Sequence, residues 1–179
     1  MTAAPELSTR SDRAAQIVAV ARRILDDEGV GALTMRRVAE AIGVRAPSLY
    51  KHFATKRALE AALIEEGMVE MGQVLHDAVS SSPRGGAVRS LLEAYRRAAT
   101  SRPALYRLAT AGPLPREDLP PGLEAWAGEP FIRVTGDPVR AQALFSLAHG
   151  LVILELDQRF PPGSDLGRTW EAGAAAFAT

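Results

Sequence analysis

The stretch of residues 33–59, LTMRRVAEAIGVRAPSLYKHFATKRAL, constrains the fold most strongly. Thr34 can cap a first helix, and Gly43 can end it because glycine adopts a positive φ without a Cβ clash. Pro47 suits the first turn of a second helix, which we expect to run to Phe53. Residues 33–59 therefore predict two short helices joined by a sharp turn, a helix-turn-helix.

The outer face of the second helix is polar and basic. Serine and lysine side chains can read base edges in the major groove of DNA, whereas tyrosine, histidine and a capping threonine suit phosphate oxygens. Residues 31–59 contain six basic residues and one acidic residue, Glu40, although the chain as a whole has a net charge of zero. We therefore expect a nucleic-acid surface here, although Arg36 and Arg37 also fit a solvated helix face. The basic residues are Arg36, Arg37, Arg45, Lys51, Lys56 and Arg57.

The motif T-x-R-x-x-A-x-x-x-G-V-x-x-x-S-L-Y-x-H-F-x-x-K-x-x-L, which starts at Thr34 and ends at Leu59, resembles the TetR family of transcriptional regulators. The resemblance implies an N-terminal DNA-binding domain followed by a helical domain that binds ligands and dimerises. By position it implies base contacts from Arg45, Ala46, Pro47, Ser48 and Lys51. It likewise implies phosphate contacts from Thr34, Arg36, Tyr50, His52 and Lys56.

Apolar periodicity and turn residues predict an all-α chain. We expect a flexible N-terminal arm at 1–10, the DNA-binding domain at 11–57 with a linking helix at 55–80, and the ligand-binding and dimerisation domain at 58–179. Gly67 and Gly72 in the linking helix indicate a bend or close packing, and we favour packing. The other predicted helices are 11–28, 87–100, 103–109, 124–131 with a break near 128–130, 137–160 and 166–177.

The helix predicted at 137–160 is apolar on more than one face. A monomer needs only one buried face, so the surplus indicates a second interface, which in the resembled family would be the partner subunit. Phe145 and the Ala148–Gly150 tripeptide resemble the C-terminal domain type named for its W, H and G residues. Phe145 stands where that type usually has tryptophan.

The second domain shows no sign of catalytic chemistry. The chain has no cysteine, its three histidines lack a second metal ligand at helical spacing, and no phosphate loop or nucleophile elbow is present. We therefore predict no catalytic residue, metal or cofactor. We expect instead an effector pocket lined by large, mostly apolar side chains. His149 is most simply a core or interface residue, although it can also bind a ligand. The candidates are Tyr95, Tyr106, Trp126, Phe131, Phe145, His149 and Trp170.

These observations predict a cytoplasmic, homodimeric regulator, most simply a repressor, that binds a palindromic operator in double-stranded DNA and is released by a small-molecule effector. The sequence has no stretch of roughly 20 uninterrupted apolar residues, so we predict no membrane span. The alternative is a helical ligand-binding or catalytic dimer that keeps the motif only as a scaffold. Arg10 in the arm has an alternative use as an extra DNA contact.

Overall fold

The computed structural model describes residues 5–83 and 85–178. Within these ranges the chain is all-helical, as predicted, with nine α-helices and no strand. Two 3-10 turns, Val30–Ala32 and Arg116–Asp118, lie between them. The helices are α1 (Asp12–Glu28), α2 (Met35–Ile42), α3 (Ala46–Leu49), α4 (Lys56–Ser80), α5 (Ala87–Ser101), α6 (Pro103–Thr110), α7 (Leu123–Thr135), α8 (Pro138–Leu156) and α9 (Leu166–Phe177).

The helices form two compact units. The first unit holds residues 5–69 and 102–123, and the second holds 70–101 and 124–178, so the division falls within α4. The first half of α4 and all of α6 therefore belong to the same unit as α1, α2 and α3. The predicted functional boundary between residues 57 and 58 stays a prediction.

The first unit has one apolar core to which every one of its helices contributes. Ile17 and Leu25 of α1, Val38 of α2, Leu49 of α3 and Leu63 of α4 are all buried. Leu105 and Leu108 of α6 join the same cluster. At about 25 cal/mol per Å² of apolar surface, this shared burial is the main force holding the short α2 and α3 in place.

Three helices start where they were predicted, and a side chain caps each start. The Ser11 hydroxyl accepts a hydrogen bond from the Ala14 N–H at 3.3 Å, and the Thr55 hydroxyl accepts one from the Ala58 N–H at 3.1 Å. The Asp137 carboxylate accepts one from the Arg140 N–H at 2.7 Å. Each bond satisfies a backbone donor that has no partner inside its helix, which explains why these starts could be predicted.

The second unit is built from α5, α8 and α9, which pack on one another, together with α7 and the end of α4. Glu155 of α8 joins three of these helices. It accepts hydrogen bonds from the Arg96 guanidinium at 2.8 and 2.9 Å and from the Trp170 indole N–H at 3.2 Å. The Arg96 guanidinium also lies 5.7 Å from the centre of the Trp170 ring.

Two predicted helix ends were wrong. The helix expected at Pro47–Phe53 ends at Leu49, where the Leu49 carbonyl accepts from both the His52 and Phe53 N–H groups. Helix α8 ends at Leu156 and not at Phe160, because Gln158 adopts a φ of +53°. Glycine usually occupies such a position, so the sequence carried no signal for this stop.

In α7 both the predicted break near 128–130 and the predicted end at 131 were wrong, since the helix continues through Pro130 to Thr135. Proline has no N–H, so the carbonyl of Trp126, four residues earlier, loses its intrahelical partner. His76 of α4 replaces it: its Nε2 lies 3.0 Å from that carbonyl oxygen and its ring stacks on Trp126 at 4.8 Å. Because a carbonyl only accepts, Nε2 carries the hydrogen.

The glycines of α4 serve close packing, as favoured. A Cβ on Gly72 would lie 2.3 Å from the Trp126 ring, and one on Gly67 would lie 3.1 Å from Leu105. Real Cβ atoms do not approach ring carbons at 2.3 Å, so a side chain at Gly72 would displace Trp126. The Gly72 contact and the His76 bond together fix Trp126 against α4.

Helix α8 is long and apolar enough, by length and composition, to cross a membrane. Only 28% of its apolar window is buried within the chain. Ala141, Leu144, Ala148 and Val152 point into the second unit, whereas Val139 is 73% exposed. A large part of an apolar helix is thus left uncovered by the chain itself.

Replacing His76 should destabilise the second unit. His76→Leu leaves the Trp126 carbonyl without a donor in a buried place, which costs about 1 to 3 kcal/mol of unfolding free energy. His76→Gln keeps a donor near the Nε2 position and should lose clearly less. Urea titration measures both, with Val74→Ala at an exposed position of α4 as the control. Equal losses from Leu and Gln would contradict the proposed role of the hydrogen bond.

Candidate nucleic-acid interface

The predicted DNA-binding residues lie on the surface of the first unit. Nine of the ten are exposed, and Ala46 is half-buried. Leu49 and Phe53, which lie among them in the sequence, are buried at 1% and 7% exposure. The exposed nine are Thr34, Arg36, Arg45, Pro47, Ser48, Tyr50, Lys51, His52 and Lys56.

The turn between α2 and α3 sets the direction of α3. Gly43 is left-handed, with φ +76° and ψ +32°, and its N–H bonds to the Glu40 carbonyl at 3.1 Å. The Val44 N–H bonds to the Ala39 carbonyl at 3.0 Å, which completes a Schellman motif. Arg45 then stands in extended conformation immediately before α3.

The start of α2 combines a cap with a free donor. The Thr34 hydroxyl accepts a hydrogen bond from the Arg37 N–H at 3.1 Å. A hydroxyl has one donor and two acceptor sites, so its own hydrogen remains available to an outside acceptor. The N-terminus of α2 adds a partial positive charge there, which favours an anion such as phosphate.

Four of the basic residues already hold acidic partners. Arg36 pairs with Glu40 at 2.8 Å and Lys56 with Glu60 at 2.9 Å, each four residues apart on one helix. Arg37 pairs with Glu28 at 2.6 Å, and Arg57 with Glu117 at 3.0 Å. Each pair keeps at least one exposed member, so water screens it, it adds little stability, and it can be exchanged for a phosphate.

Arg45 and Lys51 differ from these four. Among residues 5–83 and 85–178, neither has an acidic side chain within ion-pair distance. Arg45 precedes α3 and Lys51 follows it, so the two cations flank the exposed Ser48. An uncompensated cation attracts a polyanion more strongly than one that must first leave a carboxylate. The positive field of this surface is therefore concentrated around α3.

Six of the seven residues predicted to line an effector pocket lie in the second unit, and Tyr106 lies in the first. Phe131 and Phe145 meet edge to face at 5.7 Å, and Tyr95 meets both, at 5.8 and 6.2 Å. His149 stacks on Phe145 at 6.1 Å. We call Tyr95, Phe131, Phe145 and His149 the aromatic cluster. Phe145 is 44% exposed, so the cluster reaches the surface of the chain.

Trp126 and Trp170 lie outside the aromatic cluster in their own contacts, with His76 and with Glu155 respectively. An open cavity of about 220 Å³ lies at the end of α8, and none of the seven predicted residues lines it. The effector pocket stays a prediction, for which the aromatic cluster is the best local candidate. The cavity is lined by Glu155, Gln158, Phe160, Pro161, Gly163, Ser164 and Leu166.

Sequence reasoning missed the acidic partners of the basic residues. The Arg36–Glu40 and Lys56–Glu60 spacings of four residues were readable from the sequence as helical ion pairs. The Arg37–Glu28 and Arg57–Glu117 pairs join residues 9 and 60 positions apart. No local pattern predicts contacts of that separation.

A short recognition helix, a left-handed glycine turn and an exposed basic rim define the first unit as a helix-turn-helix domain. A family model, "Bacterial regulatory proteins, tetR family", matches residues 17–63, from α1 to the start of α4. Residues 17–63 are therefore similar to the TetR family, as the motif indicated.

Curated relatives agree with this match. The chain is 32% identical over 93 residues to the uncharacterized HTH-type transcriptional regulator YobS of Bacillus subtilis (strain 168), a match covering 52% of the chain and 49% of YobS. It is 49% identical over 49 residues to the class C tetracycline repressor protein of Escherichia coli, covering 27% of the chain and 22% of the repressor. The chain thus spans about half or less of the curated relatives it matches.

The whole fold also has a solved counterpart. A bacterial regulatory protein in the TetR family from Rhodococcus RHA1 superposes with a TM-score of 0.62 at 21% identity, covering 94% of this chain and 98% of that one. At this identity the likeness concerns the fold. The expectation of a regulator and not an enzyme agrees with the names of these proteins. The assignment of the C-terminal domain to the W-H-G type stays a prediction.

Acid should weaken the second unit through His149. Burial lowers the pKa of His149 below its ordinary value of 6.5. The unfolded chain therefore takes up a proton at a higher pH than the folded chain does, so stability falls as the pH drops through about 6.5 towards the lower folded pKa. Above about pH 7.5 both states are neutral and His149 costs nothing.

Thermal melts of the wild type and His149→Asn between about pH 8 and pH 5 check this expectation. As the pH falls, the melting temperature of the wild type should decrease more than that of His149→Asn. Ser146→Ala, an exposed change on the same helix, serves as the control and should follow the wild type. A gap that does not depend on pH would contradict the desolvation of His149.

Proposed function

We propose that the chain is a homodimeric, sequence-specific DNA-binding transcriptional regulator, acting as a repressor that a small-molecule effector releases from a palindromic operator. The observation that carries the proposal is the first unit's exposed face, where Ser48 of α3 and Lys51 just after it are exposed, next to the turn at Gly43 that sets the direction of α3. The alternative of a ligand-binding or catalytic dimer has no comparable observation in its favour. A DNA-binding regulator works in the cytoplasm, where we expect this one.

In the proposed complex α3 enters the major groove. Arg45, Ser48 and Lys51 contact base edges, and Ala46 and Pro47 bring the backbone close to them. Thr34, Arg36, Tyr50, His52 and Lys56 contact phosphates, which fix the register without reading sequence. Arg36 and Lys56 exchange Glu40 and Glu60 for phosphate oxygens in doing so.

The uncovered face of α8 supports a homodimer. Val139, Phe145 and Leu154 are 73%, 44% and 39% exposed, although each is a large apolar residue. Gly173 of α9 allows a close approach to Leu147 of α8, since a Cβ there would lie 3.0 Å from the Leu147 side chain. A second copy that covers α8 and α9 would remove this apolar surface from water by two-fold symmetry. That symmetry requires a palindromic operator.

The aromatic cluster is the proposed effector site. Its apolar walls, with the Tyr95 hydroxyl and the half-buried His149 as polar groups, suit a small and largely apolar molecule. To release DNA, the effector must bind the DNA-incompetent state more tightly. Moving a balance of 1:99 to 99:1 takes about 5.5 kcal/mol of differential affinity. The repressor role is proposed from the tetracycline repressor proteins among the relatives.

Selection from a random duplex library tests the proposal. At about 150 mM salt, where non-specific attraction is reduced, one palindromic sequence should be enriched. The selected site then serves to screen small molecules that release it. The proposal fails if the dimer selects no sequence at this salt concentration, with or without candidate effectors.

Lys56→Ala and Ser48→Ala should affect DNA binding differently. Lys56→Ala removes a phosphate contact, so it should weaken binding to all duplexes alike and reduce the salt dependence by about one ion per subunit. Ser48→Ala removes a base contact, so it should cost about 1 kcal/mol on the selected site and change the preferred base at one position. Fluorescence anisotropy measures both variants.

Arg97→Ala is the matched control, since Arg97 is an exposed cation on α5 of the second unit. It should leave both affinity and salt dependence unchanged. Equal effects of Lys56→Ala and Ser48→Ala on specific and unrelated duplexes would contradict the division into phosphate and base contacts.

The dimer should depend on the uncovered face of α8. The double variant Val139→Glu, Leu154→Glu places two like charges per subunit in the proposed interface, and desolvating unpaired charges is costly. Analytical ultracentrifugation should find a wild-type dimer and a variant monomer at micromolar concentration. Arg97→Glu, which places a carboxylate at an exposed position of α5, should remain dimeric. A wild-type monomer would refute the proposed assembly.

A further inference from the structure

Glu65 is a buried carboxylate in the first unit, in the middle of α4. It is 1% exposed and follows the buried residues Leu63 and Ile64. A buried carboxylate is costly unless it is paired and hydrogen-bonded. Both partners that the structure gives it come from the segment before α1. The Ser8 N–H donates to its Oε1 at 2.5 Å, and the Arg10 guanidinium pairs with its Oε2.

The neighbouring Glu66 extends this contact to α1. Arg10 Nη1 lies 3.6 Å from one Glu66 oxygen, and Arg22 Nη1 lies 3.6 Å from the other. Arg22 belongs to α1 and its Nε also lies 3.6 Å from Asp26. The side chains of Arg10 and Arg22 are only 14% and 11% exposed, so solvent screens these pairs weakly.

The predicted flexible arm thus contains an anchored part. Residues 1–4 of the predicted arm lie outside the described residues, whereas Ser8 and Arg10 bond to α4. Arg10 directly precedes Ser11, the cap of α1, so the pair also fixes the start of α1 against α4. The same α4 begins at Lys56, about 14 Å from Glu65 along the helix axis, where the chain leaves α3.

We propose that residues 5–10 form a clamp, closed by Arg10 on Glu65, that holds α4 against α1 and thereby positions α3 for specific DNA binding. Arg10 and Glu65 are then positioning residues that act through α4. The positioning role rests on the proposed DNA-binding function. The existence of the clamp does not depend on that function. A clamp requires Arg10 to be held on α4, whereas the alternative requires a mobile arm whose Arg10 contacts DNA.

Limited trypsin digestion tests the clamp without DNA. Cleavage after Arg10, read by mass spectrometry of the intact chain, should be slow in the wild type and at least tenfold faster in Glu65→Gln. Asp27→Asn, an exposed acidic position on α1, is the control and should be cut at the wild-type rate. Wild-type cleavage at Arg10 as fast as that of Glu65→Gln would overturn the clamp.

Binding to the selected operator and to an unrelated duplex tests the positioning role. Under the clamp both Arg10→Ala and Glu65→Gln should lose about tenfold in operator affinity, with less than about twofold change on the unrelated duplex. Arg10→Lys, which keeps the charge, should recover part of the loss. Circular dichroism melts identify any variant that is unfolded at the assay temperature. Asp27→Asn again serves as the control.

The competing outcomes are distinct. If Arg10 instead contacts phosphate, Arg10→Ala should weaken binding to both duplexes, whereas Glu65→Gln should strengthen it by freeing the arginine. Unchanged operator affinity in both folded variants would overturn the positioning role. If the wild type selects no operator, the proposed function fails and the positioning role with it, while the trypsin assay still decides whether the clamp exists.

Discussion

The burial of Leu49 is the contact on which the DNA-facing surface depends. Helix α3 has four residues, far fewer than an isolated helix needs to be stable in water. It persists because Leu49, at 1% exposure, and Phe53 insert into the core formed with α1 and α2. Ser48 and Tyr50, the neighbours of Leu49, are both exposed. Gly43 makes this insertion possible, since only its left-handed turn brings α3 back across α2.

Some of the basic side chains around α3 are paired with carboxylates in the free chain. Arg36 and Lys56 hold carboxylates in the free chain, whereas Arg45 and Lys51 have none within the described residues. A phosphate that binds the first two must replace an existing pair, so the net gain is the difference between two similar interactions. Arg45 and Lys51, which are proposed to contact base edges, meet the negative potential of DNA without first leaving a carboxylate. The two cations at base-reading positions should therefore contribute most to electrostatic affinity.

Sequence predicted the fold well where the deciding interaction is local. The cap by Thr34 and the stop at Gly43 are set by a few neighbouring residues, and both were predicted. Pro130 shows the limit of this reasoning: a proline breaks a helix unless something distant replaces the lost donor, and here His76 does so from 50 residues away. The ten exposed or half-exposed DNA-contact candidates followed from the motif, but the partners Glu28 and Glu117 did not.

Buried and half-buried polar side chains determine how the helices dock once the apolar pattern has determined that they form. Glu65 binds the segment before α1, His76 binds α7, and Glu155 binds α5 and α9. In each case a docking that separates the partners leaves a buried or half-buried charge, or a buried carbonyl, unpaired, which costs more than the small net gain of the bond itself. Apolar helix faces of leucine and alanine lose less when one helix shifts along another, because they have no hydrogen bond to break. These three contacts therefore select one arrangement within each unit from the several that apolar packing alone would permit.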